Sequence, residues 1–156
     1  MFRSRHIIDL DADPHIPIIA QLEFIPKNHP SLSISIIKHR RIGRLVWDPT
    51  KLWLYSAPNQ TDSNPIYGDH LWERDLAYRH VLNANLLDYL LVHQELIPEE
   101  WKNYEIYFWG TIYQIAFAPP RSQVRCLRWS LDKWESQLRY LIQFWGSSMP
   151  AAILDF

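Results

Sequence analysis

Four residues near the start of the chain have the types and spacing that a cation site uses. Asp9, Asp11, Asp13 and His15 recur at every second position. On an extended backbone, alternate side chains share one side, so three carboxylates and an imidazole would face a single metal ion. A plainer reading competes with this one. Pro14 and Pro17 interrupt any strand, and aspartates in such a segment accept hydrogen bonds from neighbouring N–H groups to close a turn. The polar turn is preferred, because no further ligand set in the chain completes the motif.

Other chemistry is sparse. The seven histidines form no motif; His70 and His80 flank Glu73, Arg74 and Asp75 without a readable base–partner pair. There is no Gly-x-Ser-x-Gly, no His-Glu-x-x-His and no dinucleotide fingerprint. Four glycines in the whole chain leave little material for a phosphate cradle. Cys126 sits in an apolar run and reads as an inert core thiol. The expectation is therefore no catalytic residue and no cofactor. The strand-ending Asp-x-Asp resembles that of haloacid-dehalogenase-type phosphatases. Those enzymes need a parallel α/β sheet, whereas no βαβ alternation follows here, and Ala12-Asp13 stands where their threonine is expected.

The chain of 156 residues is long enough for one domain with a real core. Hydrophobic residues at 47% and charged residues at 21% are those of a globular protein. A net charge of −1 supplies no basic field for nucleic acid. One cysteine excludes an internal disulfide and a cysteine-based zinc site. No apolar run reaches the length of a membrane span, and the start lacks the apolar stretch of a signal peptide, so a cytoplasmic protein is expected. The eight tryptophans are unusual.

The positioning elements are clearest between Val81 and Tyr113. Leu82, Leu86, Leu87, Leu90 and Leu91 lie on one helical face. Asn83 or Asn85 can cap that helix, Asp88 suits its first turn, and Pro98 ends it, which predicts a helix over Asn85–Leu96. Pro98-Glu99-Glu100 starts a single turn that Trp101 closes onto the core. The alternation from Tyr104 predicts a strand to Phe117, with Gly110 as a bulge or a close backbone approach. The blocks VLNANLLDYLL, LIPEEWK and FWGTIY resemble those of a family of small uncharacterised bacterial proteins. The likeness extends to IIDLDADPHIP, WDPTKLWLY, VRCLRW and PAAIL. The resemblance implies no established activity. The segment 21–41 departs from it and reads as an insertion.

Elsewhere, short strands are predicted over Arg5–Leu10, Ile18–Ile25, Leu32–Lys38 and Val124–Trp129. Leu32–Lys38 alternates Leu/Ile with Ser33 and Ser35, which face solvent. Lys38, His39, Arg40, Arg41 and Arg44 read as a solvated loop. Asp48-Pro49 is turn chemistry, which predicts a hairpin of Leu45–Trp47 with Leu52–Tyr55. Asp69 is expected to cap a short helix. Ser130–Trp145 fits helix and strand periodicity alike; a hairpin with a strand from Lys133 to Tyr140 is preferred, although SLDK lacks the usual turn glycine or asparagine. Pro150–Phe156 reads as a tail.

The elements sum to an α+β domain, an antiparallel sheet covered on one face by one or two helices. Three functions stay open. A protein-interaction module, self-association included, is favoured by the aromatic excess, with Ile34, Ile36, Trp109, Trp129 and Trp134 as contacts and Leu32–Lys38 as an edge strand. A cation-dependent hydrolase would use Asp9, Asp11, Asp13 and His15. A carbohydrate- or base-stacking module would need exposed tryptophans.

Overall fold

One long strand organises the molecule, because both of its faces are buried. In the computed structural model, which describes residues 5–16, 34–115 and 120–154, this strand is Arg121–Ser130, and Gln123 to Leu127 are buried without interruption. Val124 and Cys126 point to one side, Arg125 and Leu127 to the other. A strand buried on both faces must carry a layer on each.

In chain order the strands are β1 (Ile7–Asp9), β2 (Ile34–His39), β3 (Arg44–Val46), β4 (Leu52–Tyr55), β5 (Ile66–Tyr67), β6 (Ile106–Tyr107), β7 (Thr111–Ile115), β8 (Arg121–Ser130), β9 (Lys133–Tyr140), β10 (Phe144–Trp145) and β11 (Ala151–Leu154). The helices are α1 (Gly68–Arg74) and α2 (Ala84–Val92). The main sheet runs β2-β7-β8-β6-β11-β4, with β9 on the far side of β8. All its pairings are antiparallel except β6 with β11. Two small ribbons, β1–β3 and β5–β10, flank it. This is an α+β fold with an antiparallel-rich sheet.

Helix α2 lays Leu86, Leu87 and Leu90 onto Leu127, Ile106 and Phe108, with Trp101 and Trp134 completing that cluster. Burying each such leucine contributes about 1.5–3 kcal/mol. The opposite face is aromatic. Trp72 of α1 stacks on Trp109 with centroids 6.0 Å apart, and Trp145 and Tyr107 pack beside them over Val124 and Cys126. The two helices therefore lie on opposite faces of the sheet.

The chain departs from the sequence expectations at definite points. Helix α2 stops at Val92, and Gln94–Leu96 forms a separate 3-10 turn that brings Ile97 into the core. The capping residue is Asn83, whose side chain accepts the Asn85 N–H. The predicted Tyr104–Phe117 strand, whose residues 116–117 lie outside the described ones, is split into β6 and β7: Phe108 N–H still donates to the Arg125 carbonyl, but Trp109 and Gly110 turn away from β8. Strands β3 and β4 do not pair with each other. Asp48 instead caps a 3-10 turn at Pro49–Lys51 that sends β3 to β1 and β4 to β11. Asp69 lies in the first turn of α1 and makes no capping bond. The expected tail is a sheet strand: Ala151, Ala152 and Ile153 of β11 are buried between β4 and β6. Small residues there let neighbouring layers close over it.

The β8–β9 hairpin forms as preferred, in register Ser130↔Lys133. Leu131 and Asp132 take φ of 51° and 61°, the double positive φ of a two-residue turn without its usual glycine. Of the segment 21–41, residues 34–41 are described, and Ile34–His39 is a strand paired with β7. The Ile18–Ile25 strand lies outside the described residues.

Candidate functional site

The polar residues near Asp9–His15 meet at one place, where the strand end of β1, the loop after β2 and the start of α2 come together. Gly110 makes this possible. A Cβ there would stand 2.7 Å from the Asn83 nitrogen and the Leu82 carbonyl carbon, so only glycine lets the two backbones touch. Gly110 N–H donates to the Leu82 carbonyl at 2.9 Å. Asn83 is then pressed inward, fully buried, and both of its amide hydrogens are used: they donate to the carbonyls of Leu10 and Arg40, each at 2.8 Å. Asn85 donates to the Ala12 carbonyl at 2.8 Å and the Asp9 carbonyl at 3.2 Å.

His39 closes the arrangement. The carbonyl of Ala12 can only accept, so the contact of Nε2 with it at 3.2 Å assigns the proton to Nε2. Nδ1 then accepts from the Thr111 hydroxyl at 2.9 Å, and that oxygen accepts the Ala84 N–H at 2.9 Å. Burial holds the His39 pKa below its ordinary value; the Ala12 carbonyl works the other way, and the Arg41 charge lowers it further. A hydroxyl on an imidazole nitrogen has the form of a nucleophile–base pair. Thr111, however, is fully buried and its oxygen is already engaged on both sides, so no substrate carbon can approach it.

The carboxylates of the Asp9–His15 segment do not converge. Asp9 accepts the Asp11 N–H at 3.0 Å, Asp11 accepts the Gly43 N–H at 2.8 Å, and Asp13 pairs with Arg41 at 2.8 Å on the surface. His15 stands exposed. Among the described residues no three His, Cys, Asp or Glu side chains are grouped to hold a metal ion. The basic run is solvated only in part: Lys38, Arg41 and Arg44 are exposed as expected, whereas His39 and Arg40 are partly covered. Arg40 donates to the carbonyls of Ala77 and Arg79 and lies 5.0 Å over the Trp72 ring, while Arg41 donates to the Asp11 carbonyl.

A second polar group lies between α2 and the sheet. Asp88 pairs with Arg125 at 2.8 Å, and Arg125 Nε donates to the Ser136 hydroxyl at 3.2 Å. Burial alone would lower the Arg125 pKa, but the bond to Asp88 and the neighbouring Tyr113 raise it. Burial raises the Tyr113 pKa. The pair separates the leucine cluster under α2 from the smaller cluster of Ile34, Ala84, Tyr113 and Ile115. Sequence reasoning assigned Asp88 to the helix dipole and missed this partner; an arginine inside the apolar VRCLRW run was the available signal.

The tryptophans are mostly core. Trp72, Trp101, Trp109, Trp134 and Trp145 are buried, Trp47 and Trp129 are partly covered, and Trp53 alone is exposed, at 52%. Of the residues expected to meet a partner, Ile34, Trp109 and Trp134 are buried; Ile36 and Trp129 are partly exposed. Trp129 lies under the Lys102 ammonium, 4.0 Å from its ring centroid.

Among the described residues the main sheet ends at β2, β4 and β9, and these ends are not equivalent. A sheet edge is normally blunted by charge or by a bulge. β2 carries Lys38 and a register shift between Ile36 and Lys38, and β9 carries Lys133, Glu135 and Arg139. β4 reads Leu-Trp-Leu-Tyr in unbroken register. Its hydrogen-bonding direction follows from β11. Tyr107 N–H donates to Pro150, Leu82 N–H donates to Ala152, and Leu154 N–H donates to His80, so the even-numbered residues of β11 face away from β4. Ala151 and Ile153 therefore bond to Tyr55 and Trp53, their partners in register. Leu52 and Leu54 point outward. The Leu52 N–H is used by Pro49, whereas Leu54 presents a free N–H and a free C=O among the described residues.

Beside this edge Tyr55 is fixed. Its hydroxyl donates to Asp75 at 2.7 Å, and Arg79, bonded to the same carboxylate, covers the ring at 3.9 Å from its centroid. Burial, then the bond to Asp75, push the Tyr55 pKa up to about 12.

Comparison of the chain with protein-family models, curated proteins and solved structures finds no match. No helix among the described residues is long and apolar enough to cross a membrane.

Proposed function

We propose that this protein acts by binding an extended protein segment along β4 and has no catalytic turnover. One observation carries the reading: among the described residues β4 is a sheet edge without charge or bulge, with an exposed tryptophan next to an unpaired backbone N–H and C=O. A partner strand laid there would gain main-chain hydrogen bonds from Leu54 and an apolar contact from Trp53. Tryptophan is the residue type most enriched among dominant interface contacts. The stacking alternative loses its support, since a single exposed tryptophan makes no platform. The cation-dependent alternative is weakened by the dispersal of Asp9, Asp11 and Asp13 onto separate partners.

The test uses a displayed library of random peptides selected on the immobilised full chain. Binders are expected to lose about tenfold or more in affinity for Trp53→Ala, as truncation of a central tryptophan does. They should be indifferent to Lys133→Ala on β9. Selected binders whose affinity ignores Trp53 would refute the β4 reading.

A further inference from the structure

The segment that fits this edge best is the edge itself. We infer that two copies of the chain associate by antiparallel pairing of β4 with β4 about a two-fold axis that passes between their two Leu54 residues. The inference rests on the reading of β4 as a binding edge and names its partner.

The register follows from geometry. Leu54 is the residue of β4 that presents both an N–H and a C=O outward, whereas Leu52 presents only its C=O, so an antiparallel partner satisfies both Leu54 groups when its own Leu54 stands opposite. The two residues then exchange two equivalent hydrogen bonds, which is the self-complementary form a two-fold interface requires. This register places Trp53 opposite Tyr55 of the partner subunit, and the converse, in the closer, non-hydrogen-bonded positions where cross-strand aromatic pairs interact best. Tyr55 is held in place for such a contact by Asp75 and Arg79. On the other face Leu54 meets Leu54 of the partner subunit, next to the leucine cluster it already adjoins.

Charge on the strand itself does not oppose the pairing, and the charges of Arg79 and Asp75 beside Tyr55 are paired with each other. The strand has no ionisable side chain except the Tyr55 phenol, neutral at physiological pH with its pKa near about 12. Lys51, the nearest lysine, falls opposite Ala57 of the partner subunit and not opposite another cation. Four residues make a short interface, so association depends on protein concentration.

Sedimentation equilibrium of the full chain over a range of concentrations tests this, with Trp53→Lys and Leu54→Pro as variants. The Leu54 N–H points away from β11, so its loss to proline removes no bond inside the sheet. A dimer is expected to populate as concentration rises, with each variant weakening it by roughly tenfold or more. Amide exchange at Leu54 should slow as the dimer forms, which keeps the test open if Leu54→Pro does not fold. A wild-type chain that stays monomeric, with a fast Leu54 amide, overturns self-pairing; peptide binders that still depend on Trp53 would then leave the β4 edge reading standing. A dimer indifferent to Trp53→Lys overturns the inference by placing the contact elsewhere.

Discussion

Removing the arginine of the Asp88–Arg125 pair is expected to damage the fold far more than removing both partners together. Arg125 projects from the middle of β8 and its side chain is only 8% exposed, while that of Asp88 on α2 is 25% exposed. The second oxygen of Asp88 already has no hydrogen-bond partner among the described residues. Arg125→Met would leave the whole carboxylate unpaired beside leucines. Breaking one side of a buried ion pair costs about 3–5 kcal/mol. The partial exposure of Asp88 admits water, so the lower end, about 3 kcal/mol, applies to this variant. Asp88→Leu strands a guanidinium that retains Ser136, and the upper end, about 5 kcal/mol, applies because the arginine is the deeper group. The double replacement restores an apolar seam between the two clusters and should fall within about 1 kcal/mol of wild type. Urea unfolding followed by tryptophan fluorescence and by circular dichroism gives all three values, provided the denaturant slope is unchanged. Single losses below about 1 kcal/mol that simply add in the double variant would refute the claim that this pair fixes α2 on the sheet.

Two further outcomes follow from the lock around Asn83. Gly110→Ala drives a Cβ into the Leu82–Asn83 backbone at 2.7 Å, and the loss expected in thermal or urea unfolding is about 3 kcal/mol or more; a loss below about 1 kcal/mol would show that the two segments do not touch. His39 has a folded-state pKa below the ordinary 6.5, so the unfolded chain takes up the proton first. Its contribution is complete above that value and is lost as pH falls through and below it. The urea midpoint of wild type should therefore drop more steeply than that of His39→Gln between about pH 7 and pH 5, and a shallower drop in wild type would reverse the assignment of His39 as a neutral, partly buried group.

Local signals were readable wherever a short stretch answers to its own chemistry. The leucine spacing of α2, the single turn after Pro98, the turn at Asp48-Pro49 and the burial of Trp101 needed no distant partner, whereas the helix expected to run on to Pro98 ends at Val92. The burial of Cys126, which raises its pKa to about 12, needed none either. Gly110 was legible as a close approach, because a lone glycine between aromatic residues has few other uses. What it approaches was not legible. Asn83 and Asn85 were interchangeable as caps in one dimension; the carbonyls of Leu10 and Arg40 settle which of them is buried.

The sequence by itself determined the α+β class, the existence and type of most elements, and the absence of recognisable catalytic motifs. These depend on periodicity, turn residues and composition, which are local quantities. Only the tertiary structure decided which strands neighbour one another. It sent β3 and β4 to different partners, moved Ala151–Leu154 into the sheet interior, and left β4 as an uncharged edge among the described residues. Edge status depends on what does not pair with a strand, and no property of Leu-Trp-Leu-Tyr records that. The tryptophans carry the same lesson. Their number is a fact of composition, but a ring that packs the core and a ring that meets a partner have the same formula, and only the packing of the other layers separates Trp109 from Trp53.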